Sequence, residues 1–277
     1  MSEVSLSPGF QSIREYYGKR DADHAYEREW GYVNPVATAY WRLRDELVLP
    51  AVVRRYDTVV DSVRVLEVGC GYGHELSKFA LLGIPQDQLW GVDLMESRIA
   101  RARYLYPGIH FSQANAASLP FEDGSFDVVY QCLTVSHGMS QELQQQMCAE
   151  MIRVTRSGGM ILSWDLAPMR AHVLRSRTSS RIAGAELRAK LYLIKKLLQQ
   201  RLLPGAEPAS SIRSTYLNPI QPEDWAGLFP GCEVTVQRAG VDYEIWDAVW
   251  RRNPAAAERL WRSGTLSAHT FAVINKR

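Results

Sequence analysis

From residue 63 to residue 165 the chain alternates short apolar runs with longer amphipathic stretches. Residues 64–68 form an apolar run that ends in glycines, the pattern of a parallel strand buried on both faces. A helical stretch is expected over 74–82, a second strand over 89–92 ending at Asp93, and a helix over 96–106 closed by Pro107-Gly108. Strands over 109–113 and 126–130 follow, the second after the turn Glu122-Asp123-Gly124-Ser125. A helix over 141–154, closed by Ser157-Gly158-Gly159, leads to a fifth strand over 160–164 that ends at Asp165. Such alternation predicts a parallel α/β sheet with right-handed crossovers.

The flanks follow other patterns. Residues 1–60 read as helical and aromatic, with Tyr16, Tyr17, Tyr26, Trp30, Tyr32, Tyr40 and Trp41. Asn34 and Pro35 are expected to cap and open a helix over 36–56, with a break or kink near Pro50. Past Pro168 the alternation stops. Residues 168–204 read as helical and basic, with nine Arg or Lys and one acid, Glu186, between 170 and 201. Leu187, Leu191, Ile194, Leu198 and Leu202 recur there at helical spacing. Residues 204–222 are loop-like, and 232–241 and 269–275 read as two closing strands. The expected plan is a helical lid segment at 1–60, an α/β core at 61–167, a helical lid insert at 168–230 and closing strands at 231–277.

Composition narrows the function classes. A chain of 277 residues that is 46% hydrophobic can bury a sizeable core. A formal net charge of +2 gives no global pull toward nucleic acid or membrane, so neither is expected as a partner. No apolar run reaches 18 residues, and residues 1–20 carry no signal-like stretch, so no membrane span or export signal is expected. Cys70, Cys132, Cys148 and Cys232 form no CxxC pair, which points away from a disulfide framework or zinc site and toward a cytoplasmic setting.

The chemistry gathers at strand ends, where open α/β sheets bind ligands. The first strand ends in Glu67-Val68-Gly69-Cys70-Gly71-Tyr72-Gly73. The spacing is GxGxG, and His74 stands where a dinucleotide fingerprint has its third glycine, which disfavours a nicotinamide-dependent dehydrogenase. Glu67 suits a zwitterion with a cationic amine or sulfonium better than a pyrophosphate. Asp93, 20 residues after Gly73, can accept both hydroxyls of a ribose. Asn115 offers an amide to an adenine edge. Each feature alone also fits a tight turn or a helix cap.

As a set, these residues resemble the class I S-adenosylmethionine-dependent methyltransferases. The resemblance covers residues 63–165. It rests on residues 65–73, Asp93, Asn115-Ala116 with Leu119-Pro120-Phe121, Phe126-Asp127-Val128-Val129-Tyr130, and residues 150–159. It departs at Asn115, where the family more often has Asp, and at Ser157, where Pro is usual. The resemblance implies an α/β fold with a seven-stranded, mostly parallel sheet of strand order 3-2-1-4-5-7-6 and an antiparallel last strand. It implies S-adenosyl-L-methionine as cofactor, leaving as S-adenosyl-L-homocysteine. Gly69 and Gly71 would pack against its methionine part, Asp93 would hold the ribose, and Leu94 or Met95 would cover the adenine face. Asn115 and Ala116 would hold the adenine edge, and Gln131 would lie near the methionine amino group. Tyr17 or Tyr16 would reach the cofactor carboxylate.

Two further residues are candidates for catalysis. His137 and Asp165 end the fourth and fifth strands, where a hydroxyl acceptor would need a base. His137 has a suitable unperturbed pKa, and Asp165 could orient it as in a His–Asp pair. Tyr216 and Asn218 are candidates to line the acceptor pocket. The remaining histidines have no metal-ligand spacing, so no metal is expected. The expected activity is methyl transfer to a hydroxyl of a small natural product or sugar. N- or C-methylation, an RNA or protein acceptor, and a non-catalytic binding module are the alternatives. The basic insert fits an anionic acceptor, and its apolar row fits a lid packed on its neighbour or on a second subunit.

Overall fold

Seven strands form one sheet in the order β3-β2-β1-β4-β5-β7-β6, as the resemblance implied. The structure is a computed structural model that describes residues 15, 17, 18, 21, 31, 33–57, 60–137, 140–168, 218–264 and 267–277. β1 (Val65–Val68), β2 (Leu89–Asp93), β3 (His110–Gln113), β4 (Phe126–Cys132) and β5 (Thr155–Leu166) run parallel. β7 (His269–Lys276) enters antiparallel between β5 and β6 (Cys232–Ala239). β1 is central and buried along its whole length, because both faces are covered. Leu66 and Val68 face one layer, while Val65 faces the other, so Glu67 is turned toward that second layer as well.

The second layer holds α1 (Pro35–Tyr56), the 3-10 turn Leu76–Leu82, α2 (Glu96–Leu105), α5 (Tyr243–Trp250) and α6 (Pro254–Ser263). The opposite layer is built by α3 (Gln141–Val154) and the short α4 (Trp225–Leu228). In α1 the Asn34 side chain accepts from Val36 N at 3.0 Å and Pro35 takes the first turn, as expected. The helix does not break at Pro50 but runs 22 residues. Val48, Ala51 and Val52 bury on either side of the proline, and that burial offsets the lost N–H.

Three other expectations need correction. The helical stretch expected over 74–82 is shorter and tighter, a 3-10 helix over 76–82. The fifth strand begins at Thr155, since the chain leaves α3 in an extended conformation there and pairs with β4 before the glycines. Lys276 Nζ fixes that exit by donating to Ile152 O and Thr155 O. Between the closing strands lie two helices that the strand reading omitted. Asp242 and Asn253 cap them with side-chain bonds to Glu244 N and Ala256 N. They bury Trp246 and Trp261, and Trp261 stacks on Trp164 of β5. No described helix is long and apolar enough to cross a membrane. The basic insert with its leucine row lies at 169–217, outside the described residues.

Candidate active site

The glycine turn is made by backbone bonds from its neighbour strand. Gly69 N and Cys70 N both donate to Val92 O, at 2.8 and 2.9 Å. Gly69 and Gly71 take φ of +78° and +54°, a region where a side chain is strained. Their surroundings differ. A Cβ on Gly69 would lie 2.1 Å from Thr134 Oγ1, whereas a Cβ on Gly71 would meet nothing within 4 Å among the described residues. Gly69 is therefore glycine because Thr134, just past β4, packs on it, and Gly71 leaves open space at the sheet end among the described residues.

Asp93 connects this turn to the next helix. Oδ2 accepts from Gly71 N and Oδ1 from Met95 N, both at 2.9 Å. Each oxygen takes one backbone N–H and keeps acceptor capacity for a ligand. Leu94 and Met95 beside it are half-buried. Asn115, after β3, accepts from Ala117 N through Oδ1 at 2.9 Å and so closes its own turn, with Ala116 half-buried at its tip.

Glu67 is 1% exposed, and its Oε2 has no hydrogen-bond partner among the described residues. Burial pushes its carboxyl up to about 8, opposed by Arg44, the Leu76 N–H and Lys78 and reinforced by Asp93. Below it Arg44, on α1, is buried and paired with Asp45 and Glu75, and Lys78 bridges the same two acids at 2.6 and 3.1 Å. An orphaned buried carboxylate oxygen costs stability unless something cationic meets it. With the open space at Gly71 and the acceptors of Asp93, it fits the ammonium, chain and ribose of S-adenosylmethionine.

The ends of β4 and β5 are organised differently. Gln131 is fully buried and commits its amide internally. Oε1 accepts from Thr134 N, and Nε2 donates to Ser163 and to Asp165 Oδ2. That side chain braces the strand ends. Asp165 was expected to face His137. It is fully buried, and its oxygens accept from Gln131 Nε2, Ser136 N and Leu166 N at 3.0, 3.1 and 2.7 Å. Burial pushes its carboxyl up, and those hydrogen bonds oppose the shift. Side chains alternate along a strand, so Asp165 points into the α3 layer under the turn that carries His137. Leu133 turns the chain out of β4 with φ +59°, an uncommon value for leucine that the sequence does not announce.

His137 sits half-buried at the end of the short 3-10 turn Val135–His137. Its Nε2 lies 2.5 Å from Tyr17 Oη. Tyr17 was expected at the cofactor carboxylate; its hydroxyl goes to the candidate base. The guanidinium of Arg98, on α2, lies 4.2 Å over the Tyr17 ring and holds Asp21 through two 2.7 Å bonds. Sequence reasoning missed Arg98 and Asp21. The available signal was a base five residues after Asp93. Asn218 comes to the same turn through its backbone, with N donating to Ser136 O at 2.7 Å and O accepting from Gln144 Nε2 at 2.8 Å. Tyr16 and Tyr216 lie outside the described residues.

Comparison with known proteins agrees with this geometry. Residues 65–159 match the family described as Methyltransferase domain. The chain is 38% identical over 107 residues, 38% of each chain, to the phthiotriol/phenolphthiotriol dimycocerosates methyltransferase 1 of Mycobacterium ulcerans. It is 34% identical over 123 residues to a probable S-adenosylmethionine-dependent methyltransferase of Mycobacterium tuberculosis, 44% of this chain and 41% of the relative. It thus spans about two-fifths of the length of the curated relatives it matches. An S-adenosylmethionine-dependent methyltransferase from Mesorhizobium loti superposes with a TM-score of 0.53 at 18% identity, over 84% of this chain and 97% of the other. Residues 65–159 thus match a methyltransferase domain, and the sheet has the fold of a solved S-adenosylmethionine-dependent methyltransferase.

Proposed function

We propose that the protein methylates a hydroxyl of a small natural product, sugar or lipid, with His137 as the general base. S-adenosylmethionine, when bound, supplies a methyl group already activated by its sulfonium. The chain's own residues then have three tasks. Glu67, Gly71 and Asp93 hold the cofactor, with Leu94, Met95, Asn115 and Ala116 around the adenine. The turn at 134–137 aligns the acceptor and limits water. His137 takes the proton that a hydroxyl must lose. Asp165 acts on this chemistry as a positioning residue, through its bond to Ser136 N. Asn218, beside that turn, is the described candidate for acceptor contact.

The observation that carries the reading is the 2.5 Å approach of a hydroxyl to His137 Nε2. The ring nitrogen at this strand end already meets an oxygen-bound proton in one of its tautomers. The name of the Mycobacterium ulcerans relative includes a triol, which agrees with a hydroxyl acceptor. A cytoplasmic setting is consistent with four unpaired cysteines. An anionic acceptor and a homodimer through the insert remain part of the proposal, supported only by sequence pattern.

The test is methyl transfer from radiolabelled S-adenosylmethionine to a panel of hydroxylated sugars, polyketides and lipids, with amines and RNA as counter-panels. Label is expected on a hydroxyl compound. His137→Gln should lower that turnover by about a hundredfold or more with S-adenosylhomocysteine affinity retained. Label on amines or RNA alone, or full turnover by His137→Gln, would contradict the reading.

A further inference from the structure

The described residues of the N-terminal segment touch both halves of the site at once. Tyr17 Oη reaches His137 Nε2 at the end of β4, across 120 residues of sequence. Meanwhile Arg98, which is 8% exposed and stands on α2, the helix that follows β2, grips the same segment. Its Nε and Nη2 bind the two oxygens of Asp21 in parallel, and its plane covers the Tyr17 ring. A second tyrosine, Tyr72 of the glycine turn, has its ring centre 5.6 Å from that guanidinium. Burial works against the charge of Arg98, and Asp21, Asp93 and Tyr17 outweigh it, so the arginine stays protonated. A bidentate arginine fixes direction as well as distance. The tyrosine hydroxyl is thus aimed by a clasp rooted next to the ribose-binding acid.

An imidazole nitrogen has one lone pair. In the tautomer that can act as a base at Nε2, that pair accepts the Tyr17 O–H. An acceptor oxygen therefore reaches His137 Nε2 through this hydroxyl. We propose that Tyr17 is a catalytic residue that relays the acceptor's proton to His137, and that Arg98 and Asp21 are positioning residues that aim it. This rests on the reading of His137 as base. The acceptor's O–H bond breaks and its proton passes to Tyr17 Oη as the tyrosine's own proton passes to His137 Nε2. The electron pair left on the acceptor oxygen forms the bond to the methyl carbon, and the carbon–sulfur pair stays on sulfur. Tyr17 ends neutral and His137 ends as imidazolium, so charge and protons balance against the loss of the sulfonium.

The first test needs no acceptor. In protein labelled with 15N-histidine and saturated with S-adenosylhomocysteine, His137 should show a protonated Nδ1 and a hydrogen-bonded, unprotonated Nε2. Tyr17→Phe should shift its ring signals toward the Nε2-protonated tautomer. Arg98→Lys and Asp21→Asn, which keep the tyrosine, should shift them in the same direction by less. A merely structural role for the clasp leaves the tautomer in place while the melting temperature falls, and that outcome overturns the proposal. The second test uses whichever hydroxyl compound accepts radiolabel. Tyr17→Phe should lower kcat by about tenfold or more with KM nearly unchanged, and the double variant with His137→Gln should be no slower than His137→Gln alone. Full turnover by Tyr17→Phe with a slow His137→Gln overturns the relay and leaves the base standing. Full turnover by His137→Gln overturns both.

Discussion

The ends of β1 and β2 and the ends of β4 and β5 carry similar residues but use them in opposite ways. Glu67 and Asp93 stand on one side, Gln131 and Asp165 on the other, and all four are less than a tenth exposed. On the first side one carboxylate oxygen has no partner, and Asp93 binds a single backbone N–H through each oxygen. On the second side Gln131 and Asp165 bond to each other and to the turn above them. The first pair is left incomplete, which suits the ligand proposed for it. The second pair is closed and serves as the base on which the Tyr17–His137 contact is built. Burial of a polar group therefore does not distinguish a binding residue from a brace; its remaining bonding capacity does.

The comparison can be broken most forcefully at the glycines. Gly69→Val would force atoms into Thr134 at a strained φ and should cost about 3 kcal/mol or more in denaturant unfolding. Gly71→Ala meets no atom and should cost only about 1 kcal/mol, yet weaken S-adenosylhomocysteine by about tenfold, as its methyl enters the cofactor's space. Equal stability losses in the two variants would erase the distinction.

The strand-end acids come next. Asp165→Asn turns an amide toward the Gln131 amide and should cost about 2 kcal/mol, with S-adenosylhomocysteine affinity nearly unchanged in calorimetry. Asp93→Asn should do the reverse, losing about tenfold or more in affinity for a smaller drop in stability. A swap of these two phenotypes would mean that the roles are assigned to the wrong strands.

A gentler probe is pH. Glu67 is held near 8 in the folded chain against the 4.5 of an exposed glutamate, so the folded state binds the extra proton between those values. Stability from this group is full below about 4.5 and declines as pH rises toward 8, by up to about 1.4 kcal/mol per pH unit. Lys78, lowered to about 8 by burial, titrates at the upper end of the window. Glu67→Gln should flatten the decline seen in urea unfolding across pH 5 to 7, and an unchanged slope would place the proton elsewhere. The smallest effect is expected at Asn115→Ala, which removes one turn bond and should cost about 1 kcal/mol in stability, with a threefold or smaller change in affinity.

The sheet was legible because β1, β2 and β5 are buried along most of their length and run into glycine or acid, a pattern that survives without knowledge of the fold. The helices at Tyr243–Trp250 and Pro254–Ser263 carried their own caps, Asp242 and Asn253-Pro254, but were hidden inside a stretch read as closing strands. Glu67, Gly71 and Asp93 could be proposed because their surroundings are local to one strand end. The bonds of Gln131 and Asp165 were not foreseen because their partners come from other strands and a later turn, which spacing alone does not reveal. The Tyr17–His137 and Arg98–Asp21 contacts span 120 and 77 residues, and only folding brings them together.

The central claim is that Glu67, Gly71 and Asp93 form the seat of S-adenosylmethionine. Titration calorimetry with S-adenosylhomocysteine at pH 7, in two buffers of different ionisation heat, tests it most directly. Arg44, Lys78 and Asp93 act on Glu67 in both states, so a change in its proton count on binding reports a new charge beside it. The account predicts saturable binding by the wild type with release of a proton, as the ligand's ammonium drives Glu67 to its ionised form. It predicts no such release from Glu67→Gln. Absence of binding, or the same proton release from both proteins, would contradict it.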